Sequence, residues 1–383
     1  MAESDRASEI APRPAMPGRS SDDQVKIAFA LAGLHRIHRG AEVAFIEIAR
    51  QLAGLGHNLT LFGSGDPAPT EPYGFVHVPA LRRESFERWP KVPTLRSETA
   101  WEEATFVPGL LARYRPWDFD VVATCAYPFT HWALGRPVFG RRRPKRIFVT
   151  QNGDWPAYSD EAEFRLFDCD SLVCTNADYF ERNRDRYSCT LIPNGVDLER
   201  FRPGQPERQR FGLPPGRVVL MVSALIASKN VAEGIAAMAE VPNTTLVVAG
   251  DGPLRDEMRG LADELIPGRY VQLTAPAADM PALYRSADAF MHLSVDESFG
   301  NVFVEALASG LPVISYDVPR TRWIIGSDAC FSKSREPENL AAAICEALAL
   351  GLSAVGPART RAQEFGWSAI GRRYERLFLD LLQ

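Results

Sequence analysis

The spacing of apolar residues along this chain switches repeatedly between two periods. Residues 25–32 form an almost unbroken apolar run, residues 40–55 carry apolar side chains at three- and four-residue spacing, and residues 58–62 return to a short strand-like run. Further strand-like runs follow at 120–124, 146–149 and 171–174. A second series begins near Arg217 and continues at 245–249, 270–273, 289–293 and 312–316. Strands alternating with helical stretches predict parallel pairing through helical crossovers, and so an α/β fold. Two such series predict two Rossmann-like parallel-sheet domains facing a central cleft, with ligands held at the carboxyl ends of the strands. Pro, Gly and Arg accumulate between Pro193 and Pro215 while the apolar period lapses, which places the join there. The expected organisation is a first domain over 24–195, a second over 196–366 and a closing helix over 367–383. Residues 1–23 are rich in Ser, Pro, Arg, Asp and Glu and are expected to be disordered.

Composition narrows the function classes. A length of 383 residues suits two domains, and 46% hydrophobic with 24% charged residues is ordinary for a soluble globular chain. A net charge of −5 argues against a nucleic-acid partner, which calls for concentrated positive charge. The six cysteines include no C-x-x-C pair, and several fall in apolar strand-like runs, as buried thiols in a reducing compartment do. No apolar run approaches bilayer length and no hydrophobic signal core opens the chain, so a cytoplasmic location is expected.

The most informative stretch is E-S-F-G-N-V-F-V-E, from Glu297 to Glu305. It follows the apolar run 289–293, turns at Ser298 to Asn301, and continues with helical spacing until Gly310. A helix entered at Gly300 and Asn301 points unpaired backbone N–H groups above the preceding strand, which favours an anion such as phosphate. On such a helix Glu305 lies about two turns beyond Glu297 and roughly 80° round from it. Two carboxylates flanking an anion-binding helix end suit a phosphorylated, polyhydroxylated ligand, because carboxylates accept from sugar hydroxyls while N–H groups take the phosphates.

This block resembles the retaining glycosyltransferases of family 4, whose signature is E-x7-E on a GT-B fold. Four further stretches are similar to that family. Gly40-Ala41-Glu42 resembles its G-G-x-E turn, with Arg39 at the place of the first glycine. Ile192-Pro193-Asn194-Gly195-Val196-Asp197 resembles its domain-junction motif, Gly250-Asp251-Gly252-Pro253 its G-D-G-P strand end, and Lys229 stands where its phosphate-binding lysine is expected. Ala224 stands where the family usually has an arginine that shares the diphosphate with that lysine. The resemblance implies a nucleotide-diphosphate sugar as co-substrate, a hydroxyl-bearing acceptor, and neither cofactor nor metal. It implies that Glu297 and Lys229 are catalytic, that Glu305 holds the ribose, and that Phe299, Gly300 and Asn301 offer backbone N–H groups. It also implies that the last helix crosses back to the first domain.

Other residues are weighed on their positions. Gly33 ends the first strand and Gly40 opens the next helix, both facing the expected cleft, where a donor or acceptor can approach the backbone closely, and the G-D-G-P resemblance adds Gly250 as a donor contact. His35, Arg36, Arg39, Arg320 and Arg322 are candidates for the cation missing at Ala224. Asn152, Asp154, Tyr127 and His131 are candidates for contacts to the acceptor or the transferred sugar, although a histidine beside Trp132 on an apolar helix also suits a packed structural role. Asp118-Phe-Asp120 and Asp168-Cys-Asp170 fit D-x-D but run into apolar strands and are read as strand-entry acids. Residues 82–117 are basic and aromatic and allow peripheral contact with an anionic membrane. Three other classes stay open: a sugar-nucleotide epimerase of the same fold, a non-catalytic nucleotide-sugar-binding scaffold, and a nicotinamide dehydrogenase. The last is disfavoured because Gly250-Asp-Gly252 is followed by Pro253-Leu254-Arg255, which breaks G-x-G-x-x-G.

Overall fold

Two parallel sheets organise the chain in a computed structural model that describes residues 24–126, 128–137, 140, 142–154, 167–295, 297–327 and 329–383. The expected tail over 1–23 and Tyr127 lie outside the described residues. The first sheet comprises β1 (Lys26–Ala30), β2 (Asn58–Gly63), β3 (Gly74–His77), β4 (Val121–Thr124), β5 (Lys145–Val149), β6 (Ser171–Cys174) and β7 (Cys189–Leu191). Its spatial order is β3-β2-β1-β4-β5-β6-β7. The second comprises β8 (Arg217–Val222), β9 (Thr244–Ala249), β10 (Tyr270–Leu273), β11 (Ala289–Met291), β12 (Val313–Tyr316) and β13 (Cys330–Ser332), in the order β10-β9-β8-β11-β12-β13. Every pairing within both sheets is parallel. The fold is therefore α/β with two Rossmann-like units of the GT-B kind.

Central strands are buried on both faces, which is why they read as continuous apolar runs. The pattern in the sequence misses β3, β7 and β13. These are edge strands of three or four residues, and β3 and β7 have no fully buried position, so no run of large apolar side chains marks them.

The chain passes from the first sheet to the second between β7 and β8, and returns after Phe365. The two crossings touch. Val196 and Gly366 form a parallel bridge, with Val196 N donating to Phe365 O at 2.8 Å. The final helix, Trp367–Leu382, then lies on helix Gly40–Gly54 of the first unit. Trp367, Ile370, Tyr374 and Phe378 recur at three- and four-residue spacing on one face and bury themselves in the core that β1, β2 and β4 build. Each such aromatic or aliphatic side chain contributes about 1.5–3 kcal/mol by leaving water.

One expectation from composition fails. The helical stretch Pro337–Gln363 contains an 18-residue window that is long and apolar enough, by length and composition, to cross a bilayer. In this fold Leu340, Ala341, Ala343, Ile344, Ala347 and Leu348 turn into the second unit's core.

The second acid of each D-x-D pair enters a strand, while Asp118 ends a 3-10 turn and Asp168 pairs with Arg146. Asp120 Oδ2 accepts from Lys26 N at 2.9 Å, and Asp170 Oδ2 accepts from Arg146 N at 2.8 Å.

Candidate functional site

A cleft of about 710 Å³ opens where the carboxyl ends of the two sheets face each other. Its lining follows strand ends. His38, Arg39, Gly40 and Ala41 come after β1, Gln151 and Asn152 after β5, and Asn194 after β7. From the second unit come Ser223, Ala224 and Lys229 after β8, Gly250 and Asp251 after β9, and His292 with residues 297–302 after β11. β8 lies between β9 and β11, so the second sheet's contribution sits where its strand order reverses, the usual ligand position in such sheets.

The loop leading into helix Asn301–Ala308 carries the chemistry. Gly300 takes φ 87°, a left-handed conformation that glycine adopts freely, and no side chain caps the helix behind it. Gly300, Asn301 and Val302 line the cleft, so the free N–H groups of the helix's first turn border it. Helix begins only at Asn301, so Glu297 stands in the preceding loop rather than on the same helix as Glu305. The 80° relation expected from a continuous helix does not apply. Phe299 turns its ring inward against Trp323 and Phe365 and is almost wholly buried, which leaves its backbone for the cleft.

Glu297 receives two partners. Lys229 Nζ pairs with its Oε1, and His292 Nε2 lies 3.1 Å from the same oxygen. Burial pushes the Glu297 pKa up, but His292 and Lys229 outweigh it and hold the carboxyl at about 2. Glu305 lies deeper and accepts from Tyr284 Oη at 2.9 Å. Burial dominates there and pushes its pKa up to about 7, with the Tyr284 hydrogen bond and the charge of Arg200 opposing.

The first unit grips this loop. Thr175 Oγ1 donates to Ser298 O at 3.1 Å, and Asn176 Nδ2 donates to the same oxygen. Asn194 Nδ2 lies 2.9 Å from Gln151 Oε1 and 3.1 Å from Asn301 Oδ1. Arg320 pairs with Asp178 at 2.9 Å.

Among the residues expected from sequence, the cleft gathers Glu297, Lys229, Phe299, Gly300, Asn301, Gly250, Gly40, Arg39 and Asn152. Glu305 is beneath it rather than on its wall. Gly33 does not line the cleft, and its bareness makes room for a neighbour: a Cβ there would lie 2.1 Å from Glu42 Oε1. Asp154 is turned away too, buried against Arg182 at 2.8 Å and Asn183 at 2.6 Å. His131 is fully enclosed between Thr124 Oγ1 and Asp168 O, each 2.9 Å away, and packs on Phe148 and Phe167. Burial lowers its pKa to about 4, so it is neutral at pH 7. Tyr127 lies outside the described residues.

Of the five cations weighed for the Ala224 gap, Arg39 lines the cleft. His35 sits between Asp66 O and Tyr73 Oη, Arg36 pairs with Glu102, Arg320 with Asp178 and Arg322 with Asp317. Sequence reasoning missed His38, His292, Gln151 and the role of Asn194. His292 had one visible signal, a polar residue interrupting the apolar run 289–293.

Two family models match successive parts of the chain: "Glycosyltransferase Family 4" over residues 38–200 and "Glycosyl transferases group 1" over residues 205–364. A D-inositol 3-phosphate glycosyltransferase of Thermobispora bispora is 27% identical over 394 residues, covering 90% of each chain. An alpha-monoglucosyldiacylglycerol synthase of Streptococcus pneumoniae is 31% identical, over 48% of this chain and 45% of that protein. A GDP-mannose-dependent alpha-(1-6)-phosphatidylinositol monomannoside mannosyltransferase of Mycolicibacterium smegmatis is 34% identical, over 48% and 55%. The match thus spans about half the length of the latter two. Sucrose-phosphate synthase from Thermosynechococcus elongatus shares the fold with a TM-score of 0.75 at 20% identity, over 94% of this chain and 99% of that one. Anabaena Alr3699/HepE, solved with UDP-glucose, does so with a TM-score of 0.69 at 18% identity, over 93% and 100%.

Proposed function

We propose that this chain, a GT-B glycosyltransferase, moves a sugar from a nucleotide-diphosphate donor to an acceptor hydroxyl in the cleft between its two units, with retention at the anomeric carbon. The carrying observation is the meeting of Lys229, Glu297 and the uncapped start of helix Asn301–Ala308 at the carboxyl ends of the second sheet. In this reading the leaving diphosphate lies against the helix start and Lys229, which stabilise its growing charge. Glu297 holds hydroxyls of the transferred sugar, and Glu305 holds the ribose as a carboxylate. The departing phosphate oxygen takes the acceptor's proton, so the protein's own work is positioning and electrostatic stabilisation. Side-chain and helix-end charge neutralise the diphosphate without a metal. The reaction runs in the cytoplasm without a resident cofactor.

The test is turnover with a panel of UDP-, GDP-, ADP- and TDP-sugars, each offered with inositol phosphates, glycolipids and simple glycosides. Release of nucleoside diphosphate together with a new α-linked product from an α-linked donor supports the reading. A β-linked product overturns retention, loss of activity in EDTA overturns metal independence, and donor isomerisation with no acceptor present points to an epimerase. Donor binding without any turnover points to the scaffold.

A further inference from the structure

We propose that Arg39 of the first unit is a diphosphate-binding residue that works across the cleft from Lys229, so that the donor's charge is held from both units at once. The identity of the anion rests on the sugar-transfer reading above. The choice of residue rests on geometry.

Arg39 lines the same cleft wall-to-wall with Lys229. Its Nη1 is buried and meets no hydrogen-bond acceptor among the described residues, while Nη2 is tied to Glu84 Oε1 at 3.1 Å. Glu84 is largely exposed, and an ion pair of that kind is weak enough to yield to a better acceptor. A buried guanidinium N–H with no acceptor is uncommon in a folded protein and is a donor available to an incoming oxygen.

The surroundings favour an anion there. Arg39 is the residue that enters helix Gly40–Gly54, and its side chain does not cap that helix. Gly300 enters helix Asn301–Ala308 and has no side chain to cap with. The two helix starts abut, since a Cβ on Gly40 would lie 3.5 Å from Asn301 Nδ2. Both therefore turn their free N–H groups and partial positive charge toward one space between the units. Lys229, on the far wall, is already engaged by the Glu297 carboxylate, and Ala224 at the end of β8 offers no side-chain donor. A diphosphate brings more than one negative charge, and a planar guanidinium matches two phosphate oxygens better than an ammonium does. A cation on the first unit also makes donor binding draw the units together, which one on the second unit cannot do.

The experiment is isothermal titration of the full chain with UDP, GDP, ADP and TDP and with the matching monophosphates, for wild type, Arg39→Met, Arg39→Lys and Lys229→Met. Arg39→Met keeps most of the side chain's length and apolar character but removes the charge. It is expected to weaken the preferred diphosphate tenfold or more, about 1.4 kcal/mol, while changing the monophosphate of the same base less than threefold. Arg39→Lys is expected to fall between Arg39→Met and wild type. Diphosphate affinity within twofold of wild type in both Arg39 variants, with Lys229→Met weakened, overturns the role of Arg39 and leaves the transferase reading standing. Wild-type protein that binds none of the four diphosphates overturns that reading and this assignment with it.

Discussion

Glu297 and Glu305 have the same side chain, but their surroundings drive protonation in opposite directions. Glu297, held near 2 by His292 and Lys229, stays ionised throughout the working range. Glu305 changes charge near neutrality because burial raises it to about 7. If it holds the ribose as a carboxylate, donor affinity rises as pH goes from 6 to 8, by up to about tenfold per unit below pH 7, and levels off above. Titrating the donor at several pH values checks this, and in Glu305→Gln the slope should vanish. The sign for stability is the reverse. A carboxyl raised from 4.5 to about 7 by folding gives its full stability below pH 4.5 and loses it as pH rises through 7. Glu305→Gln should therefore raise the melting temperature of the ligand-free protein at pH 8, by no more than about 3 kcal/mol in stability, and do far less at pH 5. On the proposed mechanism Lys229 stands beside the leaving diphosphate, so kcat of Lys229→Ala is expected to fall about 10²–10³-fold in steady-state assays.

At the scale of elements, the site depends on how each helix starts. Gly300 enters its helix at φ 87°, and a Cβ there would meet Phe303 Cδ2 at 2.8 Å. Gly300→Ala should cost about 1–2 kcal/mol in urea unfolding from backbone strain, more once the clash is added, and weaken the donor by tilting the N–H groups. The Gly300-Asn301 turn was legible in sequence because its glycine and polar residue interrupt two apolar runs. The partners that grip the turn from outside were not legible. Thr175, Asn176 and Asn194 lie more than a hundred residues earlier and meet it only because β6 and β7 end opposite β11. Asn194→Ala leaves the Gln151 amide buried without its partner, at a cost of about 1–3 kcal/mol in the same unfolding measurement.

For the whole molecule, the two units are joined twice, and the joins touch at Val196 and Gly366. Trp367 then begins the helix that fastens the end of the chain to the first core. Trp367→Ala should cost about 3–5 kcal/mol and lower cooperativity between the units in calorimetry, because it empties the point where both crossings pack. On the first unit's surface Leu81, Trp89 and Val92 are exposed near Arg82, Arg88 and Lys91, with Trp117 exposed further along the same stretch. If this face docks on anionic membranes, the protein should co-sediment with phosphatidylserine vesicles at low salt and release at high salt, and Trp89→Ala should weaken the binding.

The sequence by itself determined what depends on neighbours along the chain. Alternating periods specified two parallel-sheet units, because each period reflects which faces are buried, and the E-S-F-G-N turn specified a helix start able to receive an anion. Tertiary structure decided what depends on distance across the fold. It put Arg39 opposite Lys229, gave Gly33 the task of clearing space for Glu42, and drew Asp154 and His131 into buried hydrogen bonds instead of the cleft. The reason is that a side chain's direction and partners are set by strand order and by packing between elements far apart in sequence, and local spacing carries neither.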